Sequence, residues 1–83
     1  MSSLYDPCYK IFVECLRDFR AQSRMTQQEL ASQLNCPQSY ISKYEQGQKR
    51  LDIVEIKRIC NVFGVSLTEF ADEYETRLKN AGL

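Results

Sequence analysis

Apolar residues recur along this chain at spacings of three and four, broken at intervals by short polar segments. That is the pattern of several amphipathic helices sharing one core. The first stripe, Tyr9, Phe12, Leu16 and Phe19, follows Asp6-Pro7, an acidic cap and a residue whose φ is preset for a helix, and it runs to about Ser23. Thr26 and Glu29 then form a capping box ahead of Leu30, Ala31 and Leu34, and Asn35, which tolerates the left-handed conformation, ends that short helix. Pro37 suits the start of a third helix, in which Ile41 and Tyr44 share one face. Gly47 fits its C-terminus. Two more capping boxes follow. Asp52 with Glu55 opens a helix carrying Ile53, Ile56, Ile59, Cys60 and Phe63 and closed by Gly64; Ser66 with Glu69 opens the last. The predicted helices cover about 7–23, 27–34, 38–46, 53–63 and 67–79, in one all-α domain over residues 1–83 with no strand-like alternation.

The most informative stretch is residues 26–46, two short helices joined by a tight polar turn. The outer face of the second helix carries Gln38, Ser39, Ser42, Lys43 and Gln46, groups able to hydrogen-bond base edges and phosphates, and no acid stands among them. Glu45 lies off that face. Ala31 is the small residue that lets the two helices approach, Asn35 sits at the turn, and Ile41 pins the second helix to the core.

In those three places, and in the phrase PQSYISKYEQGQKRLD from Pro37 to Asp52, the chain resembles the helix-turn-helix of the phage repressor and Cro family, also called the XRE family of bacterial regulators. The resemblance extends from about Phe12 to Phe70. Asn35 and Arg24 stand where the family often has glycine, which raises local strain. The fold it implies is a compact five-helix, repressor-like DNA-binding domain with its helix-turn-helix at helices 2 and 3. Helix 3 would enter the major groove, with Gln38, Ser39 and Lys43, and less firmly Ser42 and Gln46, reading bases. Thr26 and Gln27 at the start of helix 2, together with Tyr40, Lys49 and Arg50, would hold phosphates. The resemblance also implies an internal ion pair between Arg20 and Glu45 that locks the reading helix at its angle.

Composition narrows the picture. A chain of 83 residues buries only about 60% of its unfolded surface, so its core must be economical. Net charge is zero, which is unusual for a nucleic-acid domain, but the acidic excess lies in residues 66–83, whereas Lys43, Lys49 and Arg50 cluster around the motif. The longest apolar run is Ile11 to Val13, too short to span a bilayer, and the start lacks a secretory pattern, so a cytoplasmic protein away from membranes is expected. There is no histidine, and no pair of the cysteines Cys8, Cys15, Cys36 and Cys60 has metal-ligand spacing; no metal or other cofactor is expected. Cys8 and Cys15 are about 10 Å apart along one helix, too far to bridge. Cys36 and Cys60 read as core packing, with a redox role for Cys8 as the alternative.

No catalytic constellation is visible, so the expectation is a regulator and not an enzyme. The preferred function is a sequence-specific double-stranded DNA-binding transcriptional regulator, a repressor or autoregulator reading a palindromic operator as a homodimer, with no small-molecule ligand expected. The alternatives are an antitoxin or protein-binding adaptor, a restriction-modification controller and a redox-sensing regulator. In helix 5, Leu67, Ala71, Tyr74, Leu78 and Ala81 follow at spacings of four and three, with Phe70 beside them. They either fold back on helix 1 or, through Tyr74 and Leu78, meet a second copy. The dimer is preferred, because one reading head contacts few bases while a twofold pair reads half-sites about 34 Å apart.

Overall fold

The structure, a computed structural model, describes residues 6–83; residues 1–5 of the predicted domain span lie outside the described residues. Five helices and no strand are present among the described residues: α1 Pro7–Gln22, α2 Gln27–Leu34, α3 Gln38–Glu45, α4 Ile53–Phe63 and α5 Leu67–Asn80. The ends follow from local chemistry. The Asp6 carboxylate accepts from the Cys8 amide at 2.8 Å, and Thr26, Asp52 and Ser66 each close a reciprocal capping box with the glutamate three residues on. Each cap contributes about 1 kcal/mol by satisfying amides that the first turn leaves unpaired. Two helices stop one residue sooner than the pattern suggests, because Ser23 and Gln46 are cap residues and not helical ones, while α5 runs one residue further, to Asn80.

Among the described residues two non-glycine residues have positive φ, Arg24 at 58° and Asn35 at 55°, which are the two places where the family often has glycine. Asparagine adopts this conformation readily; an arginine there costs roughly 1 kcal/mol. The turn at Arg24 is held from two sides: the Arg24 amide donates to the Ala21 carbonyl at 3.0 Å, and Arg20 Nη1 donates to the Met25 carbonyl at 2.8 Å.

The core gathers four residues from α1 and one or two from each of the other helices. Cys15, Leu16, Leu30, Ile41, Tyr44 and Cys60 are fully shielded from solvent and Ile59 nearly so. Ala31, also buried, sits where α2 meets α3, so a larger side chain would push the two apart. Helix α3 packs on α2 and α1, α4 lies against α2, and α5 closes the bundle against α1 and α4. An aromatic cluster seals that last contact: Phe12 meets Phe70 and Tyr74 edge-on, with centroids 5.9 and 5.8 Å apart, and Phe19 lies 5.8 Å from Phe70.

Two sequence expectations change here. Ile53, assigned to the buried stripe of α4, is 65% exposed, because it lines an open groove between α4 and α5. Cys36, half-buried, packs against the edge of the core and Cys60 is fully enclosed within it, the packing roles expected of both. Tyr74, assigned to a seam between copies, instead folds back: its ring packs on Phe12 and Phe70, and its hydroxyl donates to the Cys8 carbonyl at 2.9 Å. Leu78, half-buried, lies one turn further along α5. Nearby, Arg77 donates to Asp18 of α1 at 2.8 Å and to Glu73 of its own helix at 2.8 Å.

Candidate nucleic-acid interface

Helix α3 has two chemically distinct sides. Ile41 and Tyr44 are completely buried and Glu45 is 8% exposed, so this side is fixed to the core. Gln38, Ser39, Lys43 and Gln46 are exposed on the other, and Ser42 is half-buried between them. Gln46 Nε2 donates to Ser42 Oγ at 3.2 Å, so these two groups meet at the end of the row. The helix therefore presents a continuous polar strip carrying one cation on a mount that its own side chains hold.

The angle of that mount is set by a buried carboxylate. Arg20 Nε donates to Glu45 Oε2 at 2.7 Å, and Arg20 Nη2 donates to Glu45 Oε1 at 3.0 Å, a bidentate pair between α1 and α3. The two side chains are only 16% and 4% exposed. The Glu45 hydrogen bonds hold the guanidinium charged, raising its pKa above the ordinary arginine value despite burial. A third donor converges on the same carboxylate: Gln27 Nε2 lies 3.0 Å from Glu45 Oε1. Gln27 Oε1 in turn accepts from Gln38 Nε2 at 3.4 Å. A chain of polar contacts thus runs from α1 through α3 and the start of α2 out to the first residue of the strip. Gln27 is a link in that chain, so one amide hydrogen of its side chain is already engaged.

At the start of α2 the Thr26 hydroxyl oxygen accepts from the Glu29 amide at 3.0 Å, and the Glu29 carboxylate returns to the Thr26 amide at 2.8 Å. The Gln27 and Gln28 amides have no acceptor among the described residues, so this end of the helix offers free donors beside the positive end of its dipole. Beyond α3, the basic loop is anchored from α1. The Tyr9 hydroxyl donates to the Lys49 carbonyl at 3.2 Å, and the Arg50 guanidinium lies 5.2 Å over the Tyr9 ring.

The expected phosphate role of Tyr40 is not supported by its surroundings. Its hydroxyl donates to Glu55 Oε2 at 2.8 Å, and its pKa is pushed up by burial first and by this hydrogen bond second. The group is a neutral donor engaged inside the chain. Glu55 also faces Lys49, whose Nζ lies 3.8 Å from Oε2 and 5.2 Å over the Tyr40 ring, so Lys49 is partly compensated. Glu55 itself is held below the usual carboxylate range, chiefly by the Asp52 amide and then by the Tyr40 hydroxyl. The sequence reading saw Glu55 only as a cap and Tyr9 only as core. Neither second role leaves a local signal, because the partners are 15 and 40 residues away.

The cysteines form no bridge, and among the described residues no group of His, Cys, Asp or Glu is arranged to hold a metal ion. Burial pushes the Cys15 thiol up to about 11, which makes it a poor nucleophile. No helix among the described residues is long and apolar enough to cross a membrane.

Known proteins share both the sequence and the fold. A helix-turn-helix family model matches residues 16–70. The HTH-type transcriptional regulator RamB of Mycobacterium tuberculosis is 35% identical over 63 residues, which are 76% of this chain but 13% of that protein, so the chain corresponds to a small part of RamB's length. An XRE-family-like protein from Pseudomonas syringae superposes with a TM-score of 0.78 at 31% identity, covering 84% of this chain and 85% of the other. The clp gene regulator ClgR of Corynebacterium glutamicum (TM-score 0.81, 23% identity, 93% of this chain and 82% of the other) and the restriction-modification controller protein C.Esp1396I (TM-score 0.80, 23% identity, 88% and 96%) share the fold. The chain belongs to the helix-turn-helix family of the phage repressor, Cro and XRE type, whose members are DNA-binding transcriptional regulators.

Proposed function

From that membership we propose that this chain is a sequence-specific reader of double-stranded DNA that acts as a repressor or autoregulator and binds a palindromic operator as a homodimer. The observation that carries the reading is the contrast across α3: a polar strip open to solvent, on a helix whose other side is buried and clamped through Glu45. In this reading Gln38 and Ser39, first on the strip, reach base edges; Lys43 pairs with guanine or a neighbouring phosphate; and Gln46 and Ser42 act as a unit at the far end. Gln38 arrives already oriented by Gln27, which lowers the ordering cost of a bidentate contact to adenine. The Gln27 and Gln28 amides, the Thr26 hydroxyl and the remaining side-chain hydrogen of Gln27 take the phosphate ahead of α2. Arg50 and Lys49 take one beyond α3.

A protein of zero net charge gains little nonspecific affinity from its overall field, so the cations around the motif, Lys43, Lys49 and Arg50, must meet phosphates at defined places. The test is selection of bound sites from random duplex DNA, followed by affinity against salt on the winning sequence. Enrichment of an inverted repeat with half-sites about 34 Å apart, and an affinity falling steeply with salt, are the expected results. Absence of enrichment at low salt would overturn the reading and favour a protein-binding adaptor.

A further inference from the structure

Four side chains lead from the buried side of α3 to its first exposed residue, and their donors and acceptors fit together in only one order. Glu45, gripped by Arg20 Nε at 2.7 Å and Nη2 at 3.0 Å, carries a carboxylate that is 4% exposed. A carboxylate in an ion pair has only acceptors to offer, so an amide that meets it must bring its nitrogen. Gln27 does so, with Nε2 3.0 Å from Glu45 Oε1. Its oxygen therefore faces outward, and Gln38 meets that oxygen with its own Nε2 at 3.4 Å. Turning either amide over would set two oxygens against each other, with a hydrogen bond lost. Resting on the base-reading role of α3 given above, we propose that Glu45 is a positioning residue for sequence choice: through Gln27 it fixes the polarity of the Gln38 amide and so decides which base pair Gln38 accepts.

The consequence for DNA follows from the order of groups along the major groove. Going away from α2, Gln38 offers a donor and then an acceptor. An A·T pair presents N7, an acceptor, and then N6, a donor, which fits that order. In the same direction T·A presents N6 before N7 and C·G presents N4 before O6, so both need the amide turned over. Gln46, at the other end of the strip, supplies the contrast. Its Nε2 donates to Ser42 Oγ at 3.2 Å, and a hydroxyl both donates and accepts, so this amide can turn over and keep its partner. One end of the strip thus has a set polarity and the other does not. The difference traces to a carboxylate that is itself buried away from the strip.

The experiment is selection of bound sites from random duplex DNA with the full chain, comparing the wild type with Gln38→Ala, Gln27→Met and Glu45→Gln, each checked for folding by a thermal melt. At the base pair that Gln38→Ala relaxes, the wild type should prefer A·T over T·A and C·G by roughly tenfold or more. Gln27→Met keeps the length of the side chain but removes both its polar ends, and should cut that preference to about twofold at that pair alone. Glu45→Gln changes no group within reach of DNA but faces Gln27 with an amide that donates as well as accepts, and should loosen the same pair. The pair nearest Gln46 should stay as in the wild type in both variants. An intact A·T preference in Gln27→Met, or in folded Glu45→Gln, overturns the proposal, and so does broadening at every position, which would mark a loosened helix. Should Glu45→Gln not fold, Gln27→Met decides alone. The two readings fail differently: relaxation by Gln38→Ala without relaxation by Gln27→Met keeps base reading and removes the relay, whereas a Gln38→Ala protein that relaxes no pair removes base reading by Gln38 and the relay with it.

Discussion

Arg20 and Arg77 both tie α1 to another helix through a carboxylate, in different surroundings. Arg20 reaches Glu45 on α3 with two hydrogen bonds, and both side chains are nearly enclosed. Arg77 reaches Asp18 from α5 at the same 2.8 Å at which it holds Glu73, but the two carboxylates are 46% and 43% exposed. Solvent screens the second pair and can replace either partner, so it is worth at most about 1 kcal/mol. The first pair cannot be released so easily: removing one partner strands a charge in the interior. The helix that presents the polar strip is therefore fixed by directional buried contacts. The helix that closes the bundle rests chiefly on aromatic packing among Phe12, Phe19, Phe70 and Tyr74, with a single hydrogen bond from the Tyr74 hydroxyl to the Cys8 carbonyl beside it. A helix that presents a polar strip needs its angle, and a closing helix needs chiefly coverage.

The largest expected effect tests the buried side. Glu45→Ala should lower unfolding free energy by about 3–5 kcal/mol in a denaturant titration, since it leaves Arg20 and Gln27 without their shared acceptor. A loss below about 1 kcal/mol would make the two arginine clamps equivalent and remove the contrast.

Next comes what the clamp supports. Gln38→Ala should cost about 1–3 kcal/mol of operator affinity and relax preference at one base position. Arg50→Ala should weaken all sequences alike and reduce the salt slope by about one charge. If Gln38→Ala weakened all sites equally, the strip would be holding phosphates and not reading bases.

Tyr40→Phe probes the correction at that residue. Losing the hydrogen bond to Glu55 should cost about 1 kcal/mol of stability and leave DNA affinity at the wild-type value. A drop in affinity with unchanged stability would return Tyr40 to the phosphates.

On the exposed side, Asp18→Ala should change stability by only about 0.5 kcal/mol, and by less at high salt. A larger, salt-insensitive loss would show that α5 too is held by a directional clamp.

The smallest effect is one of pH. The folded-state pKa of Glu55 lies below its ordinary value of 4.5, so its stabilisation is fully present above that value and is lost as pH falls through the lower one. Glu55→Gln should therefore differ from the wild type near neutrality and converge with it in acid. A gap that widens on acidification would reverse the sign assigned here.

The parts of this fold that were legible in the sequence are those whose causes lie within one turn. The three capping boxes, the Asp6-Pro7 start and the left-handed stop at Asn35 each join residues two to four apart, and the structure places each helix within a residue of those signals. The contact between Arg20 and Glu45 crosses 25 positions and was reachable only through the family resemblance. The hydroxyl contacts of Tyr9, Tyr40 and Tyr74 cross 40, 15 and 66 positions, and nothing near those tyrosines in the chain announces them. Ile53 shows the converse: periodicity assigned it to the core, but burial also needs the opposing surface to close on it, and there α4 and α5 leave a groove.

By itself, then, the sequence determined where five helices begin and end and which faces are apolar, because capping and periodicity act over a few residues. Tertiary structure alone decided which polar groups face outward and which are engaged inside. Gln38 and Lys43 stay exposed, Tyr40 turns to Glu55, Gln27 becomes a link to Glu45, and Ile53 stands out at the rim of a groove. The physical reason is that a hydrogen bond or an apolar contact depends on what lies across the gap, and residues far apart in the chain meet there only after the helices have packed.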